Sequence, residues 1–209
     1  MDKRVVKYIK KRSAQWDIPF PEDVEQRLVD IERSFSQKNI RVKFVFDSYN
    51  GNILNACAGF FQSSPIRVYQ EWAAYLILRG DNADVKNAFL CTIGHELTHQ
   101  EGRDISPFRH FLNIRFIAWV NEIHADFGAE DKMLEQSRSC LIAAMKFKQS
   151  QKKKDRDSCT HPSWKRRIHY AESFKKFDEK LIRQIAKDTG CKSERLIQAV
   201  YVKIFSKHP

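Results

Sequence analysis

Residues 84–101 constrain this chain more than any other stretch, because an apolar helical run there carries His95, Glu96 and His99 near its end. Val85, Ala88, Phe89, Thr92, Ile93 and Leu97 recur at three- and four-residue spacing, the pattern of a helix with a buried face. Asn82 or Asp84 can cap its start, and Gly102 can stop it. Four residues is slightly more than one helical turn, so His95 and His99 project from one face and can reach a single metal ion. Zinc suits such a pair, since it accepts neutral imidazole and in open sites takes three protein ligands plus a water. Glu96 lies beside that face, placed to take a proton from the water.

A third ligand has to come from another element. The stretch Asn121-Glu122-Ile123-His124-Ala125-Asp126 offers Glu122 and, one turn later on the same face, Asp126. Glu122 completes a His, His, Glu set. Asp126 is spaced to accept a hydrogen bond from the far ring nitrogen of a ligand histidine, which fixes its tautomer and raises its basicity. His124 competes as a ligand, but two residues after Glu122 it faces away, and it reads as structural.

Four segments in order then carry a family likeness. His95-Glu96-x-x-His99, Glu122-x-x-Ala125-Asp126-x-x-Ala129, His161-Pro162 with Arg167, and the upstream Asn55-Ala56-Cys57-Ala58 together resemble the gluzincin peptidases of the CAAX prenyl protease and HtpX family. The resemblance covers roughly residues 50–170. It implies an α+β, zincin-like metallopeptidase domain, mostly helical with a small sheet. It also implies Zn2+ on His95, His99 and Glu122, with Glu96 as general base. His161 would donate to the developing oxyanion, with Arg167 orienting it or binding substrate backbone, and Asn55, Ala56 and Ala58 would hold the substrate along an edge strand. Read from the residues alone, His161 also suits a helix cap with Pro162 at the first helical position. Arg167 likewise suits one of the surface cations in Lys165-Arg166-Arg167.

The remaining sequence sets the frame. A chain of 209 residues suits one domain over 1–209, with a core at about 20–170 and a C-terminal helical extension at about 171–209. Helices are expected over 2–15 and 22–37, strands over 40–46, 53–61 and 66–69, and either helix or strand over 69–78. A long helix over about 108–136 carries Glu122 and Asp126, and helical character continues over 137–147. Residues 148–158 hold no apolar side chain and read as a mobile basic loop that gates the cleft, selects acidic substrates, or is simply solvated. Helices over 172–188 and 193–207 finish the chain.

Five cysteines, an odd number without a Cys-x-x-Cys pair, point to reduced thiols and a cytoplasmic setting. The basic N-terminus has no apolar stretch behind it, so no export signal is expected. No segment approaches roughly eighteen uninterrupted apolar residues, so no membrane span is expected, unlike many members of the resembled family. The expected partner is a protein or peptide substrate. A net charge of +11 also admits nucleic acid. With a faint helix-turn-helix likeness from residue 184 onward, it motivates the alternative of a basic DNA-binding or regulatory protein with a structural or vestigial metal site.

Overall fold

The computed structural model describes residues 2–49, 53–58, 64–101, 104, 113–135 and 137–206. Helices α1 (Lys3–Trp16) and α2 (Val24–Ser36) form where the apolar spacing predicts them. The apolar stripe of α1, Val5 and Ile9, is fully buried. Strand β1 (Val42–Val45) buries Val42 and Phe44 and exposes Lys43, as alternation requires. It pairs in parallel with β3 (Ile66–Tyr69), which pairs antiparallel with β2 (Ala56–Cys57), giving the order β1-β3-β2. The strand expected over 53–61 thus contributes two ladder residues, and 59–61 lie outside the described residues.

The stretch left open between strand and helix is helix α3 (Gln70–Arg79). Its first two turns are buried on every side, which erases the amphipathic signal. The polar residues among them are paired. Glu71 accepts from Arg12 at 2.6 Å and from Tyr8 Oη at 2.6 Å, which docks α1 onto α3. The Gln70 amide donates to Asp47 O at 2.7 Å and accepts from Asp47 N at 2.9 Å.

Helix α4 (Ala83–Gln100) carries the histidine pair, and Asn82 is its cap, accepting from Asp84 N at 2.7 Å. It packs along helix α5 (Ile114–Met133). The approach is close because Gly94 has no side chain: a Cβ there would stand 2.8 Å from Ala129 Cα. A second such contact sits between Gly128 on α5 and Thr98 on α4. These two glycines set the spacing at which α5 presents Glu122 and Asp126 to the histidines. The expected start of α5 before residue 113 and its expected end at 136 lie outside the described residues.

Helix α6 (Arg138–Ser150) runs further than its apolar spacing suggests, so Lys148 stands on a helix and not in a loop. The rest of the expected mobile loop is tied by its own acids. Asp155 accepts from Trp164 N at 2.7 Å and Lys165 N at 2.8 Å, and Asp157 from Ser163 N at 2.9 Å. Charge there serves the backbone, which a count of apolar residues does not reveal. Helix α7 (Trp164–Ser173) follows, then α8 (Glu179–Thr189) and α9 (Glu194–Phe205). The helix expected from 172 begins instead after the Asp178 cap, because Arg138 holds the carbonyls of Ala171, Phe174 and Lys175 in a bend.

Two apolar cores result. One joins α1 to α4, the sheet and α6, around Trp72, Phe44 and Ile93. The other lies on the opposite side of α5, where Ile117, Val120 and Ile123 meet Leu181, Ile185, Ile197 and Val200. The C-terminal helices are therefore a hairpin closed over α5. The arrangement is α+β, mostly helical with a small sheet. No described helix is long and apolar enough to cross a membrane.

Candidate metal centre

His95 and His99 leave α4 toward Glu122 on α5. His95 Nε2 lies 2.9 Å from His99 Nε2. Glu122 Oε2 is 3.6 Å from the first nitrogen, and Oε1 is 3.7 Å from the second. One donor atom from each residue lies within 4.8 Å of the others. Ligands bonded to zinc at its usual distances stand about 3.4 Å apart in a tetrahedron, so the observed separations bracket what that ion needs.

Proton placement makes the case stronger. His95 Nδ1 faces Asp126 Oδ1 at 3.0 Å, and His99 Nδ1 faces Asp104 Oδ2 at 2.6 Å. A carboxylate accepts, so each Nδ1 carries a proton, and a ring that is neutral keeps its lone pair on Nε2. Two lone pairs aimed at each other repel unless a cation, a proton or a metal ion, stands between them. For the proton, burial works against a charged His99. Its bond to Asp104 and the negative Glu122 and Glu96 outweigh burial and push the pKa up to about 9.

Behind the His95, His99 and Glu122 cluster sits a buried charge pair. Arg167 on α7 donates from Nε to Asp126 Oδ2 at 2.7 Å and from Nη2 to Asp126 Oδ1, a bidentate pair. Its Nη1 lies 3.5 Å from Glu122 Oε2. Burial pushes the Asp126 carboxyl up, but the Arg167 charge and the bond to His95 overcome it and hold the group well below the ordinary range. Glu122 follows the same pattern: burial raises it, and His95 and Arg167 bring it below its usual value.

Arg167 and His161 stand against the two oxygens of the one Glu122 carboxylate, each at 3.5 Å. Arg167 is 6 % exposed, and its guanidinium is taken up by Asp126 and Glu122, so it holds both carboxylates from behind. His161 stands on the open side with its side chain 62 % exposed and Nε2 3.5 Å from Glu122 Oε1. It does not cap α7; that cap is Ser163, which accepts from Arg166 N at 3.3 Å. The Thr160 hydroxyl, 2.8 Å from Nδ1, steadies its ring. His124 packs against the Phe177 ring at 5.1 Å, away from the site.

Glu96 borders the same cleft, a cavity of about 650 Å³ that also reaches His161 and the β2 edge. Its Oε2 accepts from Ala58 N at 2.7 Å. Of the residues expected to grip a substrate, Ala58 thus has its N–H engaged by Glu96. The Asn55 carbonyl accepts from Tyr69 N at 3.2 Å, and Ala56 is paired with Val68. Asn55 and Ala56 line the cleft, and the outer side of β2 has no partner strand among the described residues.

Two features escape the sequence reading. Asp104 as the partner of His99 had a signal, an acid five residues beyond the second histidine, but nothing to rank it against Glu101. Lys148 reaching Thr92 on α4 had none. In comparisons with known proteins, the chain matches no family model, no curated protein and no solved structure.

Proposed function

We propose that this chain is a zinc-dependent endopeptidase of the CAAX prenyl protease and HtpX-like gluzincin type, with His95, His99 and Glu122 as the ligands and a zincin-like arrangement of helices and edge strand. The observation that carries the reading is that His95 Nε2, His99 Nε2 and the Glu122 carboxylate face one another within 4.8 Å, while Asp126 and Asp104 take up the two Nδ1 positions. A bound zinc ion supplies a water that is acidic near neutral pH and a Lewis acid for a carbonyl oxygen.

The chain does the rest. The edge of β2, which has no partner strand among the described residues, aligns an extended peptide by backbone pairing, which needs no particular sequence. Glu96 accepts a proton at its carboxylate as the peptide carbonyl is attacked, and returns it to the leaving amine. Its bond from Ala58 N holds the carboxylate against the strand that carries the substrate. His161 Nε2, on the open side of Glu122, donates to the carbonyl oxygen as negative charge builds there. Asp126, fixed by Arg167, and Asp104 keep the ligand rings in the tautomer that binds metal.

Glu96→Gln tests this directly. The variant keeps its metal, measured by elemental analysis, and loses hydrolysis of casein by at least about a hundredfold, the usual worth of a positioned general base. Undiminished casein turnover in a metal-loaded variant would remove Glu96 from the reaction.

A further inference from the structure

The cleft does not end at the metal ligands. Past Thr92, one turn before Glu96 on α4, it continues into a second cavity of about 540 Å³ bordered by α1, α3 and α6. The two cavities share a wall of Leu54, Lys148, Lys152, Lys154 and Trp164.

Lys148 is set into that wall, half-buried on the last turn of α6. Its Nζ donates to Thr92 Oγ1 at 3.0 Å and lies 4.8 Å from the centre of the Trp164 ring. Thr92 gives its own proton to Ala88 O at 2.8 Å, so it meets the ammonium as a neutral acceptor. An ammonium has three donors, and Thr92 engages one. The ion-paired lysines among the described residues are Lys132 and Lys146; Lys148, Lys152 and Lys154 have no carboxylate partner there. By contrast, Arg12 in the same cavity is already paired with Glu71 at 2.6 Å. Desolvation, with Arg167 nearby, disfavours the charge on Lys148 and lowers its pKa. A cation kept at such a cost, open to the cleft on one side, binds an incoming carboxylate strongly.

We propose that Lys148, supported by Lys152, forms a carboxylate-binding subsite of this cleft and selects peptides with an acidic group close to the bond presented to Glu96. The inference rests on the peptidase reading and names its substrate class. The acidic group is either an aspartate or glutamate side chain or a free peptide C-terminus, which share the same chemistry. Nucleic acid fits the wall less well. Trp164 is 7 % exposed and its ring already meets Lys148, Lys152 at 5.7 Å and Arg167 at 4.0 Å, so it offers no platform for base stacking.

The test measures binding apart from turnover, using zinc-loaded full-length Glu96→Gln protein and fluorescence anisotropy. The probes are a dye-labelled polyalanine peptide with blocked ends and one central glutamate, its glutamine twin, and a glutamine peptide with a free C-terminus. The glutamate or the free C-terminus should bind about tenfold tighter than the blocked glutamine peptide, and whichever does identifies the source of the carboxylate. Adding Lys148→Met should bring that ratio close to one, while Lys148→Arg should keep most of it. If Lys148→Met does not fold, Lys148→Gln reads the same ratio with a shorter neutral group. Equal binding of all three peptides, or an unchanged ratio in a folded lysine variant, overturns the subsite. So does a single-stranded oligonucleotide whose binding needs Lys148 when no peptide preference exists. Cleavage of the same peptides by wild-type protein separates the two levels: binding preference without any cleavage retains the subsite and removes the peptidase, and cleavage without preference removes the subsite alone.

Discussion

His95 and His99 lie one turn apart on the same helix, and each gives its Nδ1 proton to a carboxylate, yet the two carboxylates are held very differently. Asp126 is 1 % exposed, comes from the middle of α5 and is gripped by Arg167 from α7, so three helices fix the His95 ring. Asp104 follows α4 directly, its side chain is 33 % exposed, and its visible tether is Lys203 of α9, which donates to its backbone carbonyl at 2.6 Å. The first half of the site is built into the packing of the molecule. The second half is an outer clasp that changes with protonation.

Breaking the buried half should have the larger effect. Asp126→Asn leaves the buried Arg167 cation with Glu122, at 3.5 Å, as its remaining carboxylate, which costs up to about 3–5 kcal/mol of folding stability. It also removes the charge that orients His95, worth roughly a 10–100-fold loss in metal affinity. Urea unfolding and competitive zinc titration would measure both, and a variant within error of wild type in both would show that the charge pair does nothing.

Asp104→Asn should be milder, with roughly a tenfold loss in zinc affinity and the fold intact. Its signature is in pH. Without metal, the bond to Asp104 and the negative Glu122 and Glu96 outweigh burial and push the His99 pKa from its ordinary 6.5 up to about 9. A group with a raised folded pKa stabilises the fold fully below its unfolded pKa and loses that contribution as pH climbs through the folded value. The melting temperature of chelated wild type should therefore fall as pH is raised from about 7 to about 10, and Asp104→Asn should flatten that fall. Zinc needs the neutral ring, so wild-type affinity should rise over the same range. Parallel melting curves for the two proteins would break the proposed contrast between the halves.

Much of the site is legible in the sequence because it is local. Four-residue spacing places His95 with His99 and Glu122 with Asp126, and the apolar pattern around each pair shows that it sits on a buried helix. What faces what across helices is not written in either segment alone. Gly94 and Gly128 decide how near α4 and α5 approach, yet a glycine within a helix reads locally as a weakness. Arg167 looks like one of three adjacent surface cations, and its burial against Asp126 depends on where α7 comes to rest. The supposed loop at 148–158 misleads for the opposite reason. It lacks apolar residues, but backbone N–H groups can be satisfied by Asp155 and Asp157 as well as by water. The C-terminal hairpin shows the same limit: its two amphipathic helices are plain in the sequence, and the far side of α5 that covers them is not.

The most direct test is the metal content of the purified full-length chain, measured beside Glu122→Ala after both have been exposed to excess zinc and desalted. Convergence of His95, His99 and Glu122 on one ion requires close to one zinc per wild-type chain and a large loss in the variant. A wild-type chain without metal, or a variant holding as much as wild type, would contradict the site at its root.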